Sequence, residues 1–338
     1  GNLKIIFAMK NILLILLFCQ QLYAQNTIKN LVFEGAGVRG IAYAGAIKEL
    51  ENNKLISQIE KVGGTSAGAI TAMMLALGYS SDEIGEIISQ TKLNKFNNGK
   101  YLFFGGIYRM KKQFGWYKAK RFDKWLTTII ENKTANPNIT FSELSQQGYI
   151  DLYVTATCLN KQKSLLLSKE TYPAMKIKDA VRISMSIPLY FEAVFIDNLV
   201  NVYEKPKENQ ELDIMVDGGI VLNYPITIFD SISEGKRIIN PNTLGFKIER
   251  AEQIQYDNKH QVLAPMAIHQ LDDYVSALYN YVIENLNNKG LKQEDWNRTV
   301  FISSEGISPK IKKLKKEEKQ KLIDSGRHHS QNYLNSFH

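Results

Sequence analysis

The sequence predicts an α/β fold in which strands and helices alternate and stack as layers around one central, mostly parallel sheet. Three observations lead there. The early strand-like runs are short and apolar on both sides, as strands covered on two faces are. Helix-length segments separate them, as crossovers between parallel strands require. The chain has 338 residues, 44% hydrophobic and 22% charged, which provides an ample core. No internal repeat and no linker rich in Pro, Gly or Ser divides it, so residues 25–338 read as a single domain.

The elements follow in order. Leu31-Val32-Phe33 reads as a buried strand and residues 41–51 as the amphipathic helix after it. A second short strand ends at Val62, and 67–77 is a nearly all-apolar helix. Ser80-Ser81-Asp82-Glu83 has the spacing of a capping box and opens another helix. Residues 99–117 gather Tyr101, Phe103, Phe104, Tyr108, Phe114, Trp116 and Tyr117 around Lys111 and Lys112. That mixture suits either a membrane-facing lid or a loop packing its aromatics on the core. Strands are expected at 151–158, 164–167, 213–216, 243–248 and 299–302, with a long helix over 262–287. The Lys- and Glu-rich stretch 310–321 reads as a solvated helix face.

Residues 1–24 stand apart from this pattern. Met9-Lys10-Asn11, the apolar run 12–18 and the ending Leu22-Tyr23-Ala24 have the three regions of a secretory signal peptide, with cleavage after Ala24. Residues 1–8 read as upstream sequence. The apolar run is far short of the ~20 residues that span a bilayer. Cys19 is a poor lipidation site, because bulky Phe18 precedes it. The expectation is export to the periplasm, the outer membrane or the medium. Loss of Cys19 leaves Cys158 alone, so no intrachain disulfide is available.

Charge and metal motifs exclude some classes. A formal net charge of +8 is compatible with an anionic membrane surface, but no recognition motif accompanies it, and nucleic acid is not expected as a partner. No CxxC, HExxH or EF-hand loop is present, and all five His lie at or beyond position 260. Neither a metal site nor a cofactor is expected.

Three motifs carry chemistry. Gly35-Ala36-Gly37-Val38-Arg39-Gly40 joins a strand to a helix, and amides of such a loop make a site for negative charge. The spacing also fits the dinucleotide fingerprint GxGxxG. That reading needs an acid at the end of the next strand, whereas Glu51 lies in the preceding helix and Glu60 opens the strand. The strand closes instead on Gly63-Gly64-Thr65-Ser66-Ala67-Gly68. Here Gly64, Thr65, Ala67 and Gly68 frame Ser66 as a GxSxG nucleophile elbow between strand and helix. An ordinary α/β-hydrolase places several strands before its elbow, and there is no room for them here. With the glycine loop on the strand just before, amides of Gly37 and Val38 are candidates to hold the oxyanion formed when Ser66 attacks a carbonyl.

The third motif supplies a base. Asp217-Gly218-Gly219 follows the apolar run Ile214-Met215-Val216, and Asp217 can take the serine proton if it meets Ser66 directly. A Ser-Asp-His triad completed by His260 or His269 is the alternative.

Together these motifs resemble the patatin-like phospholipases, whose members carry a G-G-G-x-[KR]-G loop, then GxSxG, then D-G-[GA]. Arg182-Ile183-Ser184-Met185-Ser186-Ile187-Pro188 is similar to that family's Ala/Ser-rich segment ending in Pro. The resemblance covers 28–229 and leaves 230–338 as a C-terminal extension. It implies a three-layer α/β/α patatin-like fold and a metal-independent carboxylic ester hydrolase of phospholipase A or lysophospholipase type. Ser66 would be its nucleophile, Asp217 its base and 35–40 its oxyanion loop, and no His is needed. The substrates implied are lipid or phospholipid esters at a membrane or micelle surface, for an exported bacterial member. A non-catalytic lipid- or envelope-binding protein on the same fold is the alternative. The chain departs from the family pattern at Ala36, which is uncomfortable at positive φ, so the backbone there decides whether the loop is usable.

Overall fold

The computed structural model describes residues 27–336 apart from 92–95, 97–102, 204, 206–209, 261–262, 289 and 310–312. The signal-peptide reading of 1–24 therefore lies outside the described residues, as do Tyr101 and its neighbours.

Strand β1 (Asn30–Phe33) is buried along its whole length. Leu31 and Phe33 join the main core on one face, while Val32 meets Tyr224 and Ile226 on the other. Cover on both faces is what lets a strand be apolar at consecutive positions. A 3-10 turn at Gly37–Ile41 leads into α1 (Ala42–Asn52). Next come β2 (Lys61–Gly64) and α2 (Ala67–Ala76), whose residues from Gly68 onward are all buried. A helix apolar all round needs cover all round, and α2 lies against β1, β2 and β4 (Asp151–Cys158) inside the core. The expected capping box opens α3 (Ser81–Gln90), with Ser80 and Glu83 exchanging side-chain-to-amide bonds.

The middle of the chain adds α4 (Phe103–Gln113), β3 (Gly115–Tyr117), α5 (Lys120–Thr134) and α6 (Phe141–Gln146). Hairpin partner β5 (Lys163–Leu167) pairs with β4. Then follow α7 (Ile177–Ser184), β6 (Leu189–Phe191), β7 (Val194–Ile196), β8 (Val202–Tyr203) and β9 (Asp213–Asp217). A small hairpin, β10 (Ser231–Ser233) and β11 (Lys236–Ile238), precedes β12 (Thr243–Glu249). The chain closes with α8 (Ala251–His260), α9 (Leu271–Asn288), α10 (Gln293–Asn297), β13 (Thr299–Ser303) and α11 (Lys316–Asn335).

Among the described residues one nine-stranded sheet runs β13-β12-β1-β2-β4-β9-β7-β8, with β5 beside β4. From β13 to β4 every pairing is parallel, and β9, β7, β8 and β5 are antiparallel additions. This is a three-layer α/β/α arrangement on a central, mostly parallel sheet. Residues 230–338 share in it, since β12 and β13 extend the parallel half and α11 packs on α1.

One sequence expectation needs correction. The helix expected over 262–287 begins at Leu271. Pro265 disfavours helix in the residue before it, and Asp273 takes the amides of His269 and Gln270 at 3.1 and 3.2 Å, fixing the first turn nine residues later than expected at 271. In the aromatic segment, residues 115–117 are buried or half-buried, while Phe114 keeps 42% of its surface exposed. Phe114 contacts Phe195, Tyr117 contacts Tyr190, and β3 pairs with β6. Tyr108, Lys111 and Lys112 on α4 remain exposed.

A buried ion network holds the C-terminal extension together. Arg298 reaches Asp230 and Asp295 at 2.8 and 2.7 Å, and Arg237 bonds the same two acids at 3.1 and 2.5 Å. Breaking a buried pair on one side leaves charge uncompensated, which costs several kcal/mol. Asp295→Asn is therefore expected to destabilise the fold by about 3 kcal/mol, read as a lower midpoint in urea unfolding without a change in slope.

Candidate active site

The geometry begins with β4. Strand β5 occupies one of its edges along Val154–Cys158, so the partners on the other edge must share it. Strand β2 pairs there from Asp151 to Val154 in parallel and stops with Gly64 opposite Val154. Strand β9 pairs with Ala156 to Cys158 in antiparallel sense and stops with Asp217 opposite Ala156. The two strands thus run toward each other and end two residues of β4 apart, about 7 Å. Thr155 fills the junction: its hydroxyl meets the Thr65 hydroxyl at 2.6 Å, and it leaves no room for a Cβ on Gly218.

Ser66 projects from this junction. Its backbone sits at φ 52°, ψ −119°, a strained conformation for a residue with a side chain. Neighbours hold it there. Thr65 donates its amide to Phe33 O and its hydroxyl to Leu222 O, and Ser66 N–H donates to Ser184 Oγ at 2.9 Å. Gly64 and Gly68 press together where the strand turns into α2, at a distance that admits no side chain. Ser66 is 7% exposed and Asp217 5%.

Burial is the main influence on Asp217 and raises its carboxyl to about pH 7. Two smaller influences lower it: the Gly219 amide, which donates to Oδ1 at 2.6 Å, and the Ser66 hydroxyl. The Ser66 hydroxyl itself donates to Met185 Sδ at 3.3 Å in this structure. A thioether is a weak acceptor, so turning the hydroxyl toward Asp217 is cheap. No histidine contributes to the Asp217 shift. His269 is exposed at the start of α9, with its amide bonded to Asp273, and His260 has no described side-chain environment.

The glycine loop sits on the far side of Ser66. Ala36 lies at φ −132°, a value open to any L-residue, so the departure from three glycines leaves the backbone unstrained. The left-handed conformation falls on Gly37, φ 56°, with the Pro309 carbonyl packed where its Cβ would be. Val38 N–H donates to that same carbonyl at 3.3 Å. Of the two expected loop donors, Val38 is therefore engaged, and among the described residues nothing accepts from Gly37 N–H. Arg39 turns back to the Ala36 carbonyl through Nε, and Gly40 packs against Ala67.

Behind the loop lies a buried charge cluster. Lys247, 1% exposed, points its ammonium at Glu34, Glu249 and Glu284, with Glu34 at 2.8 Å and Glu284 at 3.0 Å. The carboxylates stand close enough together to hold a cation, and the lysine provides it. Burial pushes Glu34 up and Glu249 to about 8 against the lowering effect of Lys247. Lys247 itself is held well above its ordinary value by the three acids, which outweigh its own burial.

Several residues of this site escaped the sequence reading. Ser184 and Met185 lie in the segment ending at Pro188, where their proximity to Ser66 has no local signal. Thr155 reads as a strand residue, and Asn223 as a loop residue before Tyr224-Pro225. Contacts between segments far apart in the chain bring them together.

Comparison with known proteins places the site in context. A family model described as patatin-like phospholipase matches residues 31–230. An uncharacterized protein of Acanthamoeba polyphaga mimivirus is 35% identical over 208 residues, 61% of this chain and 63% of its own length. The YqhO protein of Bacillus subtilis is 32% identical over 228 residues, 63% of this chain and 70% of its own. A protein of Invertebrate iridescent virus 6 described as a probable lipid hydrolase is 29% identical over 202 residues, 59% of this chain and 62% of its own. Among solved structures, VipD from Legionella pneumophila shares the fold at a TM-score of 0.55 and 16% identity, over 92% of this chain and 67% of its own.

The raised Asp217 pKa has a consequence for stability. An acid whose folded pKa lies above its unfolded value binds protons more tightly in the native state, so it lowers stability progressively as pH rises from about 4 to 7. Asp217→Asn removes that penalty, at most about 4 kcal/mol. The variant is expected to melt higher than wild type at pH 8–9 and to match it near pH 4, measured by thermal unfolding across pH.

Proposed function

Because this chain belongs to the patatin-like phospholipase family, we propose that it is a serine acyl hydrolase cleaving lipid or phospholipid acyl esters through Ser66 and Asp217. The observation that carries the reading is a strained, buried serine in the turn after β2 beside a buried carboxyl ending β9, its pKa near 7. A base whose pKa lies close to the working pH is both ionised and strong enough to accept the serine proton. The family and a relative described as a probable lipid hydrolase favour acyl lipids as the substrate class.

The reaction runs in two halves. Ser66 Oγ turns from Met185 to Asp217, gives up its proton and bonds the ester carbonyl carbon. The negative charge that develops on the carbonyl oxygen falls to the glycine loop, with the Gly37 amide as the available donor and Val38 once Pro309 yields. Collapse breaks the bond to the leaving alcohol, which takes the proton from Asp217. Water then repeats the sequence on the acyl-serine, loses a proton to Asp217 and releases the fatty acid, while the proton returns to Ser66. The scheme calls for no metal or cofactor. Its substrate would be met at a membrane or micelle surface outside the cytoplasm, in keeping with the export signal read at 9–24, and nucleic acid has no part in it.

A fluorophosphonate probe read by intact mass tests the nucleophile. One adduct is expected on wild type, none on Ser66→Ala, and labelling at least about 10³-fold slower on Asp217→Asn. No adduct on the folded wild type would overturn the reading; undiminished labelling of Asp217→Asn would return weight to a histidine base. For hydrolysis of a p-nitrophenyl acyl ester, kcat/KM is expected to fall tenfold per pH unit below about 7, as Asp217 takes up its proton.

A further inference from the structure

We infer that Asn223 is a positioning residue that couples the oxyanion loop to the base loop, with Asn287 of α9 as its anchor; the inference rests on the hydrolase reading above. The bonds converge on this residue from both loops. Gly35 N–H donates to Asn223 O at 3.0 Å, and Asn223 Nδ2 returns a bond to Gly35 O at 3.0 Å. The first residue of the oxyanion loop is thereby held at both its amide and its carbonyl. The same Nδ2 lies 3.4 Å from Glu34 Oε1, whose carboxyl is fixed by Lys247 and by the Ile248 amide at 3.0 Å.

The other side of Asn223 faces Asp217. Asn223 N–H donates to Asn287 Oδ1, and Asn287 Nδ2 donates to Gly219 O at 3.4 Å. Gly219 is the residue whose amide holds the Asp217 carboxylate at 2.6 Å. Residue 222 adds a third tie, its carbonyl taking the hydroxyl of Thr65 in the nucleophile elbow at 2.9 Å.

Sterics agree with the bonds. A Cβ on Gly35 would fall 2.2 Å from Asn223 Oδ1, and one on Gly219 would fall 2.9 Å from the same atom. The Asn223 carboxamide therefore fills the gap between the two loops, and their glycines are small where it passes. The amide pair 223–287 spans the two loops, bonded to Gly35 on one side and to Gly219 on the other.

This arrangement separates positioning from simple support. If the clamp loosens, Gly219 drifts from Asp217 and one of the two influences that lower the Asp217 pKa weakens. The groups acting on that carboxyl are its burial, the Gly219 amide and the Ser66 hydroxyl, with no charged side chain among them. Glu34, Lys247, Glu249 and Glu284 lie on the other side of Asn223. The acid limb of the rate profile must then move to higher pH, which loss of stability alone does not produce.

The test uses the full chain as wild type, Asn223→Ala and Asn287→Ala, with Asp295→Asn as a variant destabilised away from the site. Active sites are counted by fluorophosphonate stoichiometry, and a p-nitrophenyl acyl ester is hydrolysed across pH. Expected is a drop in kcat per labelled site of roughly 10–100-fold in both alanine variants, little change in KM, and an acid limb displaced upward. Asp295→Asn is expected to keep wild-type kcat per site and the wild-type limb. The inference is overturned if both alanine variants keep wild-type kcat per site, or if kcat falls with the limb unmoved. If the wild type takes no probe, the reading of Ser66 fails first and this inference goes with it, an outcome distinct from a labelled wild type with indifferent variants.

Discussion

The site depends on two strands stopping against each other on one edge of β4. Because β5 fills the opposite edge, β2 and β9 have the remaining one to share, and their opposed directions bring two C-terminal ends together. Carboxyl ends of strands are where loops emerge from an α/β sheet, and here two such ends face each other across Thr155 rather than lying side by side. Ser66 and Asp217 need no loop excursion to meet. The rigidity of the sheet is transferred directly to both, and this is what permits Ser66 to remain in a strained backbone conformation.

Charge is distributed so that this arrangement can act. Asp217 is buried beside an amide and a hydroxyl, and no cation stabilises its ionised form. An arginine or lysine at that position would pull the carboxyl down and make it a weaker base for the proposed reaction. The buried cation of this region, Lys247, is instead enclosed by Glu34, Glu249 and Glu284 on the far side of the glycine loop. The cluster braces Glu34, the residue from which the loop departs, while its charge is balanced locally.

The extension beyond residue 230 belongs to the same structure. It supplies β12, on which β1 and thus the glycine loop are registered, and α9, whose Asn287 reaches between the loops. Pro309 packs its carbonyl on Gly37 and Val38 from the segment after β13. The third of the chain in which no motif is recognisable therefore helps set the geometry of the part that carries all three.

Local signals in the sequence were sufficient for the strand-loop-helix placement of 35–40 and 64–68, for the Ser80 capping box, for the strands at 151–158 and 243–248, and for the choice of Ser66 and Asp217 as candidates. Each rests on backbone demands that neighbouring residues express, such as glycine at a tight turn or an apolar run bounded by polar ones. Tertiary structure decided the rest. Ala36 is acceptable because the positive φ falls on Gly37, a matter of how Pro309 packs rather than of the motif. The start of α9 at Leu271 depends on Asp273 capping a turn that periodicity alone extends too far. Thr155, Ser184 and Asn223 entered the site through pairings between residues far apart in the chain, and Ser66 lies near Asp217 because register on β4 stops the two strands two residues apart. Hydrophobic periodicity is a property of one segment, whereas register is a property of two, and no single segment contains it.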